Sequence, residues 1–169
     1  MLLRLFEAAR WAPSSFNEQP WAYIAATKDD KTNFDKILET LVEFNAAWAR
    51  NAAALAIAVA ELAFAKTQAP NRNAQYDTGT ATALLCIEAT ARGFAVHQMA
   101  GFDPEKARAA FEIPAGWEAI AVIAIGHPGD PESLPQLLRG RELAPRTRKT
   151  IRELVMTGSW GHTAPFASN

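Results

Sequence analysis

Two prolines, Pro13 and Pro20, bracket two hydroxyls and two amides: Ser14, Ser15, Asn17 and Gln19. Proline fixes its own φ and biases the residue before it away from helix. The bracketed side chains therefore stand on a stiffened, non-helical backbone, with donors and acceptors that no helix consumes. Such a segment can read the edge of a planar, polar ligand. It can equally form a capped turn in which Ser and Asn bond the neighbouring backbone, and residue types alone leave both readings open. A second candidate group lies near the C-terminus. Arg146 and Arg148 alternate on a stretch that reads as extended, so both can face one anion. Guanidinium groups suit bidentate phosphate contacts. As a bare charge run the same residues are a solvated face.

Other constellations are poor. His97, His127 and His162 are far apart and lack metal-ligand spacing, so no metal is expected. Cys86 sits among apolar residues and reads as an inert core thiol. No Gly-x-Ser-x-Gly elbow supports a serine triad, and no Gly-x-Gly-x-x-Gly or Walker loop is present. No catalytic side chain is assigned. That pattern suits an enzyme whose cofactor carries the reaction while the protein supplies position and electrostatics.

The stretch Pro13-Ser14-Ser15-Phe16-Asn17-Glu18-Gln19-Pro20-Trp21 follows Ala8-Ala9-Arg10-Trp11 and precedes Tyr23-Ile24-Ala25-Ala26-Thr27. Together these resemble the signature of the nitroreductase family. The resemblance extends over residues 3–161. It is strongest at 8–27, good at 76–126, and weak through 28–52 and 127–145. It implies an α+β fold, with a nitroreductase-like mixed, mainly antiparallel sheet between helices, and a homodimer that completes sheet and site. It implies FMN as cofactor, NADH or NADPH as donor, and hydride transfer to a nitroaromatic, quinone or similar small-molecule acceptor.

Residue by residue, the resemblance lays Pro13, Ser14, Ser15, Asn17 and Gln19 against a flavin bound mainly by the other subunit. It maps the backbone contact to the ring nitrogen N5 onto Ala100 and Gly101, just before Phe102. It places Asn45 against the ring, on the looser support of Phe44-Asn45, and gives the phosphate to Arg146 and Arg148. The stretch at 100–101 also reads as a plain turn before a helix. One departure stands out: relatives carry an early Arg-Arg-Ser segment for the phosphate, and nothing here matches it. The chain therefore reads as one that has lost a lead-in segment. This leaves a rival expectation, a non-catalytic or flavin-poor dimeric scaffold.

The elements that must position these residues follow from periodicity. Residues 1–11 read as an amphipathic helix, with Leu2, Leu3, Leu5, Phe6 and Ala9 on one side. Residues 21–27 read as a strand and 30–43 as a helix. Residues 44–51 are a loop or short helix, and 53–61 a buried strand with helix left open. Residues 66–73 are a surface loop. The strongest helix is 76–93, capped by Asp77 or Thr78 and ended by Gly93. Its middle is apolar nearly all round, as for a core helix or the family's dimer helix. A short strand spans 94–102. A helix capped by Asp103 with Pro104 at its first position follows to 111. Residues 117–126 are a central strand, 127–145 an extended connector, 150–157 a short helix, and 162–169 a tail. The reading is one domain over 1–161.

Composition narrows the class. Apolar residues form 49% and charged residues 21% of 169, the balance of an ordinary globule. A net charge of -1 gives no general case for nucleic acid or a membrane as partner. The longest apolar run, residues 52–60, is too short to span a bilayer. One cysteine leaves no internal disulfide and suits a cytoplasmic location.

Overall fold

Four strands form one sheet: β1 (Trp21–Thr27), β2 (Ala54–Glu61), β3 (Ala95–Met99) and β4 (Trp117–Gly126), in the order β1-β2-β4-β3. The computed structural model describes residues 1–167, and every strand pairing among them is antiparallel. The expected central strand is β4, and the stretch left between helix and strand is β2. Along β2 side-chain size alternates. Leu55, Ile57 and Val59 point into one apolar cluster, and Ala54, Ala56 and Ala58 into the other. Period two makes this a two-faced strand, and all seven residues before Glu61 are buried.

The alanine face meets α1 (Leu2–Arg10) and α4 (Ala74–Ala91), through Leu5 and Ala9 of the first and Ala81, Leu85 and Ala89 of the second. Small residues on both sides let helix and sheet approach closely, so adding carbons at Ala56 would cost about 1–3 kcal/mol in overpacking. The large face meets α2 (Lys31–Leu38), α3 (Glu43–Ala49) and α5 (Pro104–Phe111), whose Phe34, Ile37, Ala49 and Ala107 are buried there. The sheet thus lies between two helical layers.

Three expectations change in this part of the chain. The helix read over 30–43 ends at Leu38. The Thr40 hydroxyl donates to the Ile37 carbonyl at 2.7 Å, and Leu41 bridges Phe102, so long-range pairing overrides helical spacing. The loop or short helix at 44–51 is α3. Neither Asp77 nor Thr78 caps α4: the helix begins at Ala74 after Asn73, and both residues are buried in its first turns. The expected cap at Asp103 is present, its carboxylate accepting from the N–H groups of Glu105 and Lys106.

Contacts divide the chain into two compact units, Met1–Pro128 and the residues from Gly129. The second holds α6 (Gln136–Leu143) and α7 (Ile151–Leu154). The connector read over 127–145 is therefore partly helical. Its prolines confine the helix to the stretch between Pro135 and Pro145. Thr150 and Glu153 form a reciprocal capping box at α7. Gly158 and Gly161 take positive φ, and the turn they permit brings Met156 to bridge Thr163. Residues 163–167 of the expected tail are thus structured, while 168–169 lie outside the described residues.

Candidate functional site

The segment between α1 and β1 is an unusual piece of backbone. Phe16, Asn17 and Gln19 take φ of +54°, +56° and +52°, a region that costs a non-glycine residue on the order of 1 kcal/mol. Three bonds hold it there. Gln19 N–H donates to the Ser14 hydroxyl at 2.9 Å, Ser15 N–H to the Asp77 carboxylate at 3.0 Å, and Ala65 N–H to the Glu18 carboxylate at 2.5 Å. The capped-turn reading therefore holds for Ser14. It does not absorb the rest: the Ser15 hydroxyl and the Asn17 amide have no hydrogen-bond partner among the described residues. Pro13, Asn17 and Gln19 are exposed, so these groups face outward from a fixed backbone.

Asp77 and Glu18 are the residues that sequence reasoning missed. Asp77 is buried in α4, and its carboxylate reaches back 62 positions to Ser15. Its burial within an apolar helix is the only signal that could have marked it. Charged side chains are almost never fully buried unless paired.

A second group forms where β3 ends and α3 begins. The Gly101 carbonyl accepts from Val42 N–H at 3.1 Å and from Asn45 Nδ2 at 3.0 Å. Asn45 and Gly101, singled out separately in the sequence, are therefore in direct contact. Phe102 N–H donates to the Ala100 carbonyl at 3.0 Å, which closes a tight turn over Gly101. The glycine leaves room for Asn45: a Cβ there would lie 2.6 Å from Asn45 Nδ2 and 3.1 Å from Val42 Cγ2, so the Asn45 side chain would have to shift. Among the described residues the Gly101 N–H donates to no other group.

These two groups do not converge within one chain. The first leads into β1 and the second leaves β3, the two edge strands. Three strand spacings of roughly 4.8 Å separate them, about 14 Å. Arg146 and Arg148 lie in the second unit, both exposed, on an irregular stretch between α6 and α7.

Local electrostatics are mild. Burial pushes the Tyr23 phenol above its ordinary value, against a bond to Thr82 at 3.0 Å. Burial likewise raises the Cys86 thiol, whose sulfur accepts from the Gln98 amide at 3.4 Å. Bonds from Arg10, and then Trp11, hold the Glu7 carboxyl down to about 2. Among the described residues no group of three His, Cys, Asp or Glu is placed to hold a metal ion. None of their helices is long and apolar enough to cross a membrane.

The sequence model of the Nitroreductase family matches residues 1–127, the stretch that builds the sheet, both groups and Asp77. The chain belongs to the nitroreductase family. A crystal structure described as an oxidoreductase containing FMN superposes with a TM-score of 0.89 at 30% identity, covering 96% of this nitroreductase-family chain and 82% of that one. A nitroreductase family protein from Clostridium difficile shares the fold, with a TM-score of 0.71 at 21% identity over 94% of this chain and 85% of that one. An uncharacterised 15.4 kDa protein of Mycolicibacterium smegmatis is 43% identical over 91 residues, 54% of this chain and 61% of that protein. The chain thus spans less than two thirds of that relative. The 5,6-dimethylbenzimidazole synthase of Rhodospirillum rubrum is 28% identical over 80% of this chain and 75% of its own length.

Proposed function

We propose that this chain is an FMN-dependent oxidoreductase that takes hydride from NADH or NADPH and passes it to an organic acceptor such as a nitroaromatic or quinone. The observation that carries the reading is the turn at Ala100 and Gly101. Among the described residues a backbone N–H there meets no acceptor, beside a glycine whose missing Cβ keeps the approach open and an asparagine bonded to that glycine's carbonyl. A flat, polar-edged ring needs such a cradle: backbone donors, a planar amide and no protruding side chain. The 30%-identical oxidoreductase contains FMN, which favours a flavin as that ring.

When bound, FMN supplies the hydride-accepting ring. The protein's residues bind and orient it. Gly101 and Ala100 would offer backbone donors to the ring edge, with Asn45 beside them. Ser15 and Asn17, with Pro13, Ser14 and Gln19, would hold it from the other group. Arg146 and Arg148 would offer charge-assisted bonds to a phosphate. The two groups flank opposite sheet edges, which supports a site completed by a second copy, each ligand meeting Gly101 of one chain and Asn17 of its partner. A cytoplasmic location accords with a single unpaired thiol.

The test is direct. Purified protein is titrated with FMN while flavin fluorescence and the visible absorption band are followed, and then supplied with NADH or NADPH and a quinone. Flavin binding with nicotinamide oxidation is the expected result. Absence of both at micromolar protein would favour the scaffold reading.

A further inference from the structure

Phe16 has no evident role in stability. It is 90% exposed at a φ of +54°, a conformation that bulky residues rarely adopt. Glycine or asparagine would meet the same turn with less strain. Strain that persists beside a candidate site points to a function for the residue that bears it. Among the described residues the one ring Phe16 touches is Phe64, edge-on, with centroids 5.8 Å apart and planes at 82°. Phe64 is itself held. Its N–H donates to the Ala69 carbonyl at 2.9 Å, its own carbonyl accepts from Gln68 N–H at 2.8 Å, and Ala63 bridges Pro70. The bond from Ala65 N–H to Glu18 then ties this loop to the Phe16 segment. Both residues therefore stand on backbone held by hydrogen bonds, and the exposure of Phe16 requires at least one open ring face.

We infer that Phe16, steadied by Phe64, selects the electron acceptor by stacking its open face on a flat aromatic ring. This rests on the flavin oxidoreductase reading. For a quinone, hydride from NAD(P)H plus one proton from water gives the hydroquinone and NAD(P)+. Compact inorganic oxidants such as ferricyanide present no ring to stack and gain nothing from Phe16.

The test uses protein reconstituted with FMN, as wild type, Phe16→Gly and Phe64→Leu. Phe16→Gly relieves the left-handed strain, so a loss it causes is not misfolding. Two readouts are taken: kcat/KM for a naphthoquinone against ferricyanide, and binding of redox-inert naphthoate by saturation-transfer NMR. Phe16→Gly should lower both naphthoquinone kcat/KM and naphthoate affinity roughly two- to tenfold, the range of one aromatic pair, with ferricyanide unchanged. Phe64→Leu should shift both in the same direction by less. Equal effects on the two acceptors, or none, would overturn the inference. So would a change in sedimentation with selectivity intact, which would make Phe16 a subunit contact. If wild type neither holds flavin nor oxidises nicotinamide, the oxidoreductase reading falls by itself. Naphthoate binding then still decides whether Phe16 is an aromatic platform.

Discussion

Gly101→Ala is a sharp probe of the candidate cradle. The added carbon would sit 2.6 Å from Asn45 Nδ2, inside any real contact distance, and 3.1 Å from Val42 Cγ2. Asn45 must swing away, and its bond to the Gly101 carbonyl at 3.0 Å is lost. A neutral hydrogen bond contributes about 0.5–1.5 kcal/mol net, and crowding a packed position costs about 1–3 kcal/mol. The sum is about 1.5–4.5 kcal/mol. Asn45→Ala alone should cost only the bond, because Val42 N–H still satisfies the same carbonyl. In the Asn45→Ala background the main obstruction is gone, so Gly101→Ala should then cost about 1–2 kcal/mol less than in wild type. Urea unfolding of the four proteins measures this coupling directly. An identical cost of Gly101→Ala in both backgrounds would refute the steric argument, and the role assigned to this glycine with it.

Asp77→Ala should destabilise the protein by about 1.5–3 kcal/mol, the range for a hydrogen bond to a charged group, while Asp77→Asn, which keeps an acceptor for Ser15 N–H, should lose less; thermal melts compare the two. Cys86, with its thiol raised above the ordinary 9.0 by burial, should alkylate more slowly in native than in urea-unfolded protein at pH 8, because less thiolate is present. A raised thiol pKa favours the folded state below the unfolded value and loses that contribution as pH climbs through the folded one, so stability followed from pH 8 to 11 should fall, and fall less in Cys86→Ala. Arg146→Ala with Arg148→Ala should weaken FMN on the order of tenfold or more at one lost contact, and riboflavin hardly at all; equal weakening in paired titrations would separate these arginines from the phosphate.

What the sequence disclosed depended on the range of the interactions involved. Strands at 21–27 and 117–126 and the cap at Asp103 were readable because local alternation and local hydrogen bonds settle them. The early stop of α2 was not, because it rests on Leu41 pairing with Phe102, 61 positions away. Asp77 shows the same limit more clearly. At the head of an apolar run an aspartate reads as a cap, yet α4 starts three residues earlier and uses it to fix Ser15, 62 positions back. The candidate site combines both kinds of information. The non-helical backbone from Pro13 to Gln19 and the tight turn at Gly101 were legible, since proline fixes φ and glycine tolerates close approach wherever they stand. That Asn45 is the side chain Gly101 makes room for could come only from coordinates, because no local rule joins α3 to the end of β3. The strained turn at Phe16 was equally hidden, since its left-handed residues are neither glycine nor held by neighbours in sequence alone. They persist because Asp77 and Ala65, from two distant segments, hold the backbone at both ends. A segment stabilised from outside itself keeps its outward groups in place without a ligand, and a preformed site loses less entropy when a ligand binds.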